Sequence, residues 1–135
     1  MESLLQSAPA TRTFEELECW KAARDLRVWI KGSVIPQLPP DEKFRLSDQL
    51  IRASRSISAN IAEGHGRYHF RDNIKFCREA RGSLNEVLDH LIIAADEQYI
   101  SAATMETGRE HFNRALRILN GYIAWMSKNI ATAAP

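Results

Sequence analysis

Residues 46–64 read LSDQLIRASRSISANIAEG, and this stretch decides the fold. Leu46, Leu50, Ala53, Ile57 and Ile61 recur at steps of four, three, four and four, which is one face of an α-helix. Asn60 lies seven residues after Ala53, so a polar amide falls on or beside the apolar seam. Ser54, Ser56, Ser58 and Ala59 are small enough to let a neighbouring backbone come close. Arg52, Ser56, Ala59 and Glu63 make a second, polar stripe. Gly64 is expected to end the helix in a left-handed cap.

Downstream, Cys77, Ala80, Leu84, Val87, Leu91 and Ala94 keep a heptad spacing, and Phe76, Leu88, Ile92 and Ala95 widen the apolar face beyond it. A helix this apolar is either central or faces a partner surface. Phe76, Leu88 and Ile92 are the candidate subunit contacts. Gly82 and Ser83 sit mid-helix, where glycine costs about 1 kcal/mol against alanine. Such a cost suggests close helix contact, within the bundle or between subunits.

Upstream, Thr13 and Glu16 have capping-box spacing, and Leu17, Trp20, Ala23, Leu26, Ile30 and Val34 follow at threes and fours. This predicts a first helix over 14–34, stopped by Pro36, Pro39 and Pro40. Asp41 is the expected cap of the next helix. After the third helix, Asp96–Ile100 breaks the pattern, Tyr99 is a candidate plug for the bundle end, and Ser101 can cap a fourth helix. That helix carries Met105, Gly108, Phe112, Ala115, Leu119, Tyr122 and Met126. No run alternates with period two, so no strand is expected. The reading is all-α: an antiparallel up-down-up-down four-helix bundle over residues 13–129. A disordered tail is expected over 1–12 and fraying over 130–135.

The 135 residues fit one domain. The two cysteines form no CxxC pair, which argues against zinc or thioredoxin-like chemistry. No signal peptide and no bilayer-spanning run is read, so a cytoplasmic location is expected. No HExxH, Glu-x-x-His, P-loop or GxSxG occurs. Glu86 and His90, one turn apart, read as an ordinary helix pair before they read as a metal edge. No catalytic residue, metal, cofactor or small-molecule substrate is inferred.

The net charge of +1 hides a pattern: residues 43–81 hold nine basic and four acidic side chains. Arg45, Arg52 and Arg55 fall on the second helix. Arg67 and Arg71 fall in the loop, with Tyr68 and Phe70 able to stack on bases. Lys75, Arg78 and Arg81 fall on the third helix. These cations and Tyr68 are the candidate nucleic-acid contacts, and the aromatic residues are equally a hydrophobic lid for the bundle end. The competing reading is a solvated face paired with Asp48, Glu63, Asp72 and Glu79. Asn60 is expected to bond a neighbouring helix end or backbone, since an unpaired buried amide costs about 1–3 kcal/mol.

The string QLIRASRSISANIAEG resembles the central motif of the four-helix-bundle proteins encoded by intervening sequences in bacterial 23S rRNA genes. Phe14, Leu17, Trp20-Lys21-Ala22, Pro36, Arg67, the run Ala80-Arg81-Gly82-Ser83-Leu84-Asn85-Glu86 and Tyr99-Ile100 extend the resemblance from Phe14 to Met126. It implies a bundle that assembles as a homopentameric ring and has no assigned catalytic residues. Glu63 resembles the acid of the family motif, with Arg52, Arg55 or a loop N–H as its expected partner. A related group, the accessory variability proteins of diversity-generating retroelements, binds a reverse transcriptase and nucleic acid. Two functions follow as expectations: an adaptor for structured RNA or a reverse transcriptase–RNA complex, or a structural or protein-binding ring with no nucleic-acid role. A metal-dependent enzyme is a distant third.

Overall fold

The seam of the 46–64 stretch is buried along its whole length: Leu46, Leu50, Ala53, Ile57 and Ile61 all lie in the core. In the computed structural model, which describes residues 13–133, α1 spans Glu18–Trp29, α2 Leu46–His65, α3 Phe70–Asp96 and α4 Ala102–Ala133. Helices α1 to α4 pack on one another in chain order, and α4 closes back on α1. The connections 66–69 and 97–101 are short and make α2, α3 and α4 successively antiparallel, and the chain is the expected all-α four-helix bundle. The tail expected over 1–12 lies outside the described residues, as do residues 134–135. Helix α4 runs on to Ala133, past the Ile130 from which fraying was expected.

The α3 heptad is the centre of the core: Cys77, Ala80, Leu84, Val87, Leu91 and Ala94 have no exposed surface. Facing them are Ala23 and Leu26 from α1, Ile30 and Val34 from the π turn that follows it, and Phe112, Ala115, Leu119, Ile123 and Met126 from α4. Each fully buried Leu or Ile removes enough apolar surface to contribute about 1.5–3 kcal/mol. On α4 the buried seam passes through Ile123, while Tyr122 is only half-buried.

The helix ends depart from expectation in four places. Thr13 Oγ1 accepts from the Glu15 N–H at 3.1 Å, closing a 3-10 turn over Phe14–Glu16 in place of a capping box with Glu16. Extended Leu17 (ψ 129°) then separates that turn from α1. The far end of the first helix widens into a π turn over Ile30–Val34 before the prolines. Asp41 does not cap α2, because the 3-10 turn Pro40–Glu42 leaves it a turn too early. Glu42 does so instead: its Oε1 accepts from the Leu46 N–H at 3.2 Å and its Oε2 from the Tyr99 hydroxyl at 2.8 Å. One carboxylate thus holds both the start of α2 and the aromatic plug. The bond to Glu42, then burial and the nearby acids, push the Tyr99 phenol up to about 12.

Gly64 is the fourth departure. Helix α2 runs through it to His65 and ends at Gly66, whose φ is −76°. No glycine among the described residues has positive φ; Gln98 does, at 62°. There the Tyr99 N–H donates to Ala94 O and the Gln98 N–H to Ala95 O, closing α3 with glutamine where glycine usually stands. Ser101 caps α4 as expected, its Oγ accepting from the Thr104 N–H at 3.1 Å.

Candidate nucleic-acid interface

Helix α2 passes close against α3 at Gly64. A Cβ there would lie 2.7 Å from Asn73 Oδ1, 3.0 Å from the Asn73 carbonyl and 3.0 Å from Phe76 Cβ. Only a residue without a side chain lets the helices meet at this point. Asn73 is itself buried; its Nδ2 donates to the Tyr122 hydroxyl at 3.1 Å, and its Oδ1 accepts from the Cys77 thiol at 3.4 Å. Burial pushes the Cys77 thiol up to about 11 and that of Cys19 to about 12, and it also raises Tyr122. These groups are un-ionised packing elements at neutral pH.

The cations of α2 and α3 are spread along this antiparallel hairpin: Arg45 precedes α2 at the far end, Arg55 lies midway, and Arg71, Lys75 and Arg78 lie in the first turns of α3 beside the crossing. Arg45, Arg55, Arg71, Lys75 and Arg78 are exposed, and no carboxylate stands within ion-pair distance of them among the described residues. The other candidates are engaged. Arg52 stands 3.6 Å from Asp48, and Arg81, half-buried, donates to Asn120 Oδ1 at 2.8 Å. Arg67 donates to Glu63 at 2.9 Å, with its guanidinium 4.7 Å above the Phe76 ring. Glu63 therefore serves Arg67, one turn on, rather than Arg52, Arg55 or a loop amide.

A hollow of about 590 Å³ opens beside the crossing, lined by Asn60, Arg67, Asp72, Lys75, Phe76 and Glu79. Its two cations share it with two acids. At the same end of the bundle Tyr68 is 93% exposed. Phe70 tilts against Trp125 at 5.3 Å between ring centroids, and Tyr122 stacks on the same indole at 6.3 Å. Trp125 is 52% exposed. Sequence reading missed it, although its place three residues after Tyr122 on α4 puts the two rings on one edge.

Asn60 bonds within its own helix, its Nδ2 donating to Ser56 O at 2.9 Å and to Ser56 Oγ at 3.1 Å. The link to the neighbouring helix is Ser56 Oγ to Ser83 Oγ, at 2.8 Å. Gly82, next to Ser83, is exposed, and a Cβ there would meet nothing within 4 Å. Close contact at Gly82 within the bundle is thereby excluded. Phe76, Leu88 and Ile92 are all half-buried. Phe76 lies against α2, whereas Leu88, twelve residues later, is about 120° further around the helix. The three do not form one face.

Two smaller concavities flank the N-terminal half of α2. One, about 170 Å³, is lined by Arg27, Ile30, Lys31, Ile51, Ser54 and Arg55. The other, about 500 Å³ and largely apolar, includes Leu38, Pro39, Pro40, Ile51 and Phe44, which is 84% exposed under Lys43. Among the described residues, no group of three or more His, Cys, Asp and Glu side chains is placed to hold a metal ion. His90 Nε2 lies 3.2 Å from Glu86, and its buried Nδ1 has no partner. No described helix is long and apolar enough to cross a membrane.

A family model described as 23S rRNA-intervening sequence protein matches residues 15–121. Among solved structures, the chain is similar to a protein of unknown function from the S23 ribosomal protein family of Bacteroides thetaiotaomicron. The identity is 24% and the TM-score 0.70, over 78% of this chain and 97% of the other. That likeness bears on the fold. No curated protein matches.

Proposed function

The chain belongs to the 23S rRNA-intervening sequence protein family, and from that premise we propose that it is a non-catalytic, self-associating adaptor. It binds structured RNA, alone or within a reverse transcriptase complex, through the cations of α2, the α2–α3 loop and α3. The observation that carries this reading is the set of five exposed cations, Arg45, Arg55, Arg71, Lys75 and Arg78, without ion-pair partners among the described residues. A paired surface arginine has already exchanged its hydration for a carboxylate, whereas an unpaired one is available to phosphate. The exposed rings of Tyr68 and Trp125 add stacking surface for unpaired bases at the same end.

Self-association into a ring, with the pentamer implied by the family resemblance, repeats these cations on each subunit and raises avidity without new contacts. Its support is the outward-facing surface of α3, where Gly82 is bare and Ile93 is 37% exposed. Asp72 and Glu79, which share the hollow with Arg67 and Lys75, favour the second reading, a protein-binding ring without a nucleic-acid role.

The test is fluorescence anisotropy of an RNA hairpin at roughly 50 and 200 mM salt. The RNA reading expects affinity to fall steeply with salt. It also expects Arg71→Gln/Lys75→Gln/Arg78→Gln to reduce the log–log slope by about 2–3. Absence of binding at both salts sinks it and leaves the protein-binding ring.

A further inference from the structure

Arg55 belongs with a different set of charges from the rest of the α2–α3 surface. It lines the 170 Å³ groove on the α1 side of α2, together with Arg27 and Lys31 from the first helix. Ile30, Ile51 and Ser54 make the rest of the wall, and no carboxylate is among the lining residues. None of the three cations has an ion-pair partner among the described residues. The nearest acid on α1, Asp25, is engaged across the other side of the helix, where it accepts from Arg114 at 3.1 Å. On α1, Asp25 is thus turned to α4 and Arg27 to α2.

Three uncompensated cations on one small concave surface repel one another, and Arg27 is half-buried, where the repulsion is less screened. An oxyanion relieves that repulsion and accepts several charge-assisted hydrogen bonds from the two guanidinium groups and the ammonium. The groove holds the volume of several water molecules, enough for a tetrahedral phosphate group. The backbone beside it is irregular: the π turn Ile30–Val34 begins at one lining residue and contains another, Lys31.

We infer that the α1–α2 groove is a phosphate-binding subsite, in which Arg27, Lys31 and Arg55 hold a phosphate group of the ligand. Apart from Arg55 itself, the inference needs neither the α2–α3 cations nor the RNA reading, since a terminal phosphate and a backbone phosphodiester offer the same oxygens.

The experiment uses the full chain and the variant Arg27→Gln/Arg55→Gln, with Arg55→Lys as a charge-preserving control. First, thermal melting is followed with inorganic phosphate replacing chloride at constant ionic strength. Second, anisotropy is measured with an RNA hairpin bearing a 5′-hydroxyl and with the same hairpin bearing a 5′-phosphate. Wild type is expected to melt higher in phosphate, and the double variant is expected to lose that shift while Arg55→Lys keeps much of it.

If the ligand is a backbone phosphodiester, the double variant also binds both hairpins at least about tenfold more weakly. If it is a terminal phosphate, only the 5′-phosphorylated hairpin loses affinity. A phosphate shift in wild type alone, with no RNA binding at all, keeps this subsite while removing the RNA reading. Identical behaviour of wild type and double variant in both measurements overturns the inference.

Discussion

Gly64 and Gly82 stand on the two partners of one helical hairpin, and they differ in what surrounds them. At Gly64 a Cβ would collide with the backbone and side chain of Asn73 and with Phe76. At Gly82 a Cβ would meet nothing within 4 Å. One glycine is required by a contact inside the chain. The other costs helix stability with no return that the chain itself provides. The inner side of α3 is thus fully explained by the bundle, and the outer side is not. This contrast locates the unexplained part of the molecule on the surface where self-association is proposed.

The largest test of the inner side is Gly64→Ala. Two of the three close atoms are a carbonyl oxygen and a Cβ, which rotamer changes cannot move, so the helices must separate. A loss of about 3 kcal/mol is expected from overpacking at such a contact, read as a lowered urea midpoint. A loss under about 1 kcal/mol would show that the crossing is looser than described. Next comes Asn73→Ala, which removes the partner of the Tyr122 hydroxyl and of the Cys77 thiol. About 2 kcal/mol is expected. The two changes should be less than additive, because Asn73→Ala removes the closest atom that the new methyl meets. Additive losses would break the link between the glycine and the amide.

Stability against pH tests the same inner cluster more gently. Cys77 ionises at about 11 when folded against a usual value of 9.0, because burial disfavours the thiolate. Its contribution is therefore fully present below pH 9 and is lost as the pH rises towards 11. At pH 10 the loss is about 1 kcal/mol. Denaturant midpoints at pH 8 and pH 10, compared between wild type and Cys77→Ala, should show the smaller pH decrement in the variant. An equal decrement would place the effect elsewhere.

The inner side was legible from sequence wherever period carried it. The seams of α2 and α3 were read residue by residue, since a repeat of 3.6 leaves little choice about which face is buried. Gly64 was misread because a Gly-His-Gly run looks like a stop. Its real constraint comes from Asn73, nine residues on and in another helix, which no local rule reaches. Asp41 was preferred to Glu42 because aspartate is the commoner cap, while here the longer glutamate, at the end of the proline turn, reaches forward to the Leu46 N–H. The cations of the α1–α2 groove were hidden by counting charge along the chain. Residues 1–42 are net acidic, and only the fold separates Arg27 and Lys31 from Asp25. Trp125 lies off the buried seam of α4, so period alone does not single it out.

The smallest expected effect is the one that decides the outer side. Gly82→Ala replaces a solvent-facing mid-helix glycine in open space, so propensity alone should stabilise the folded chain by about 0.5–1 kcal/mol. If the outer face of α3 is free in solution, the variant gains that stability and keeps the wild-type mass in light scattering. If a second copy packs its backbone against Gly82, the added methyl stands in that contact, and the assembly falls apart even though the isolated helix is improved. A gain in helix stability accompanied by a loss of mass cannot come from damage to the fold. It therefore separates a subunit contact from a structural defect, which Leu88→Glu or Ile92→Glu cannot do, because both residues are already half-buried within the chain.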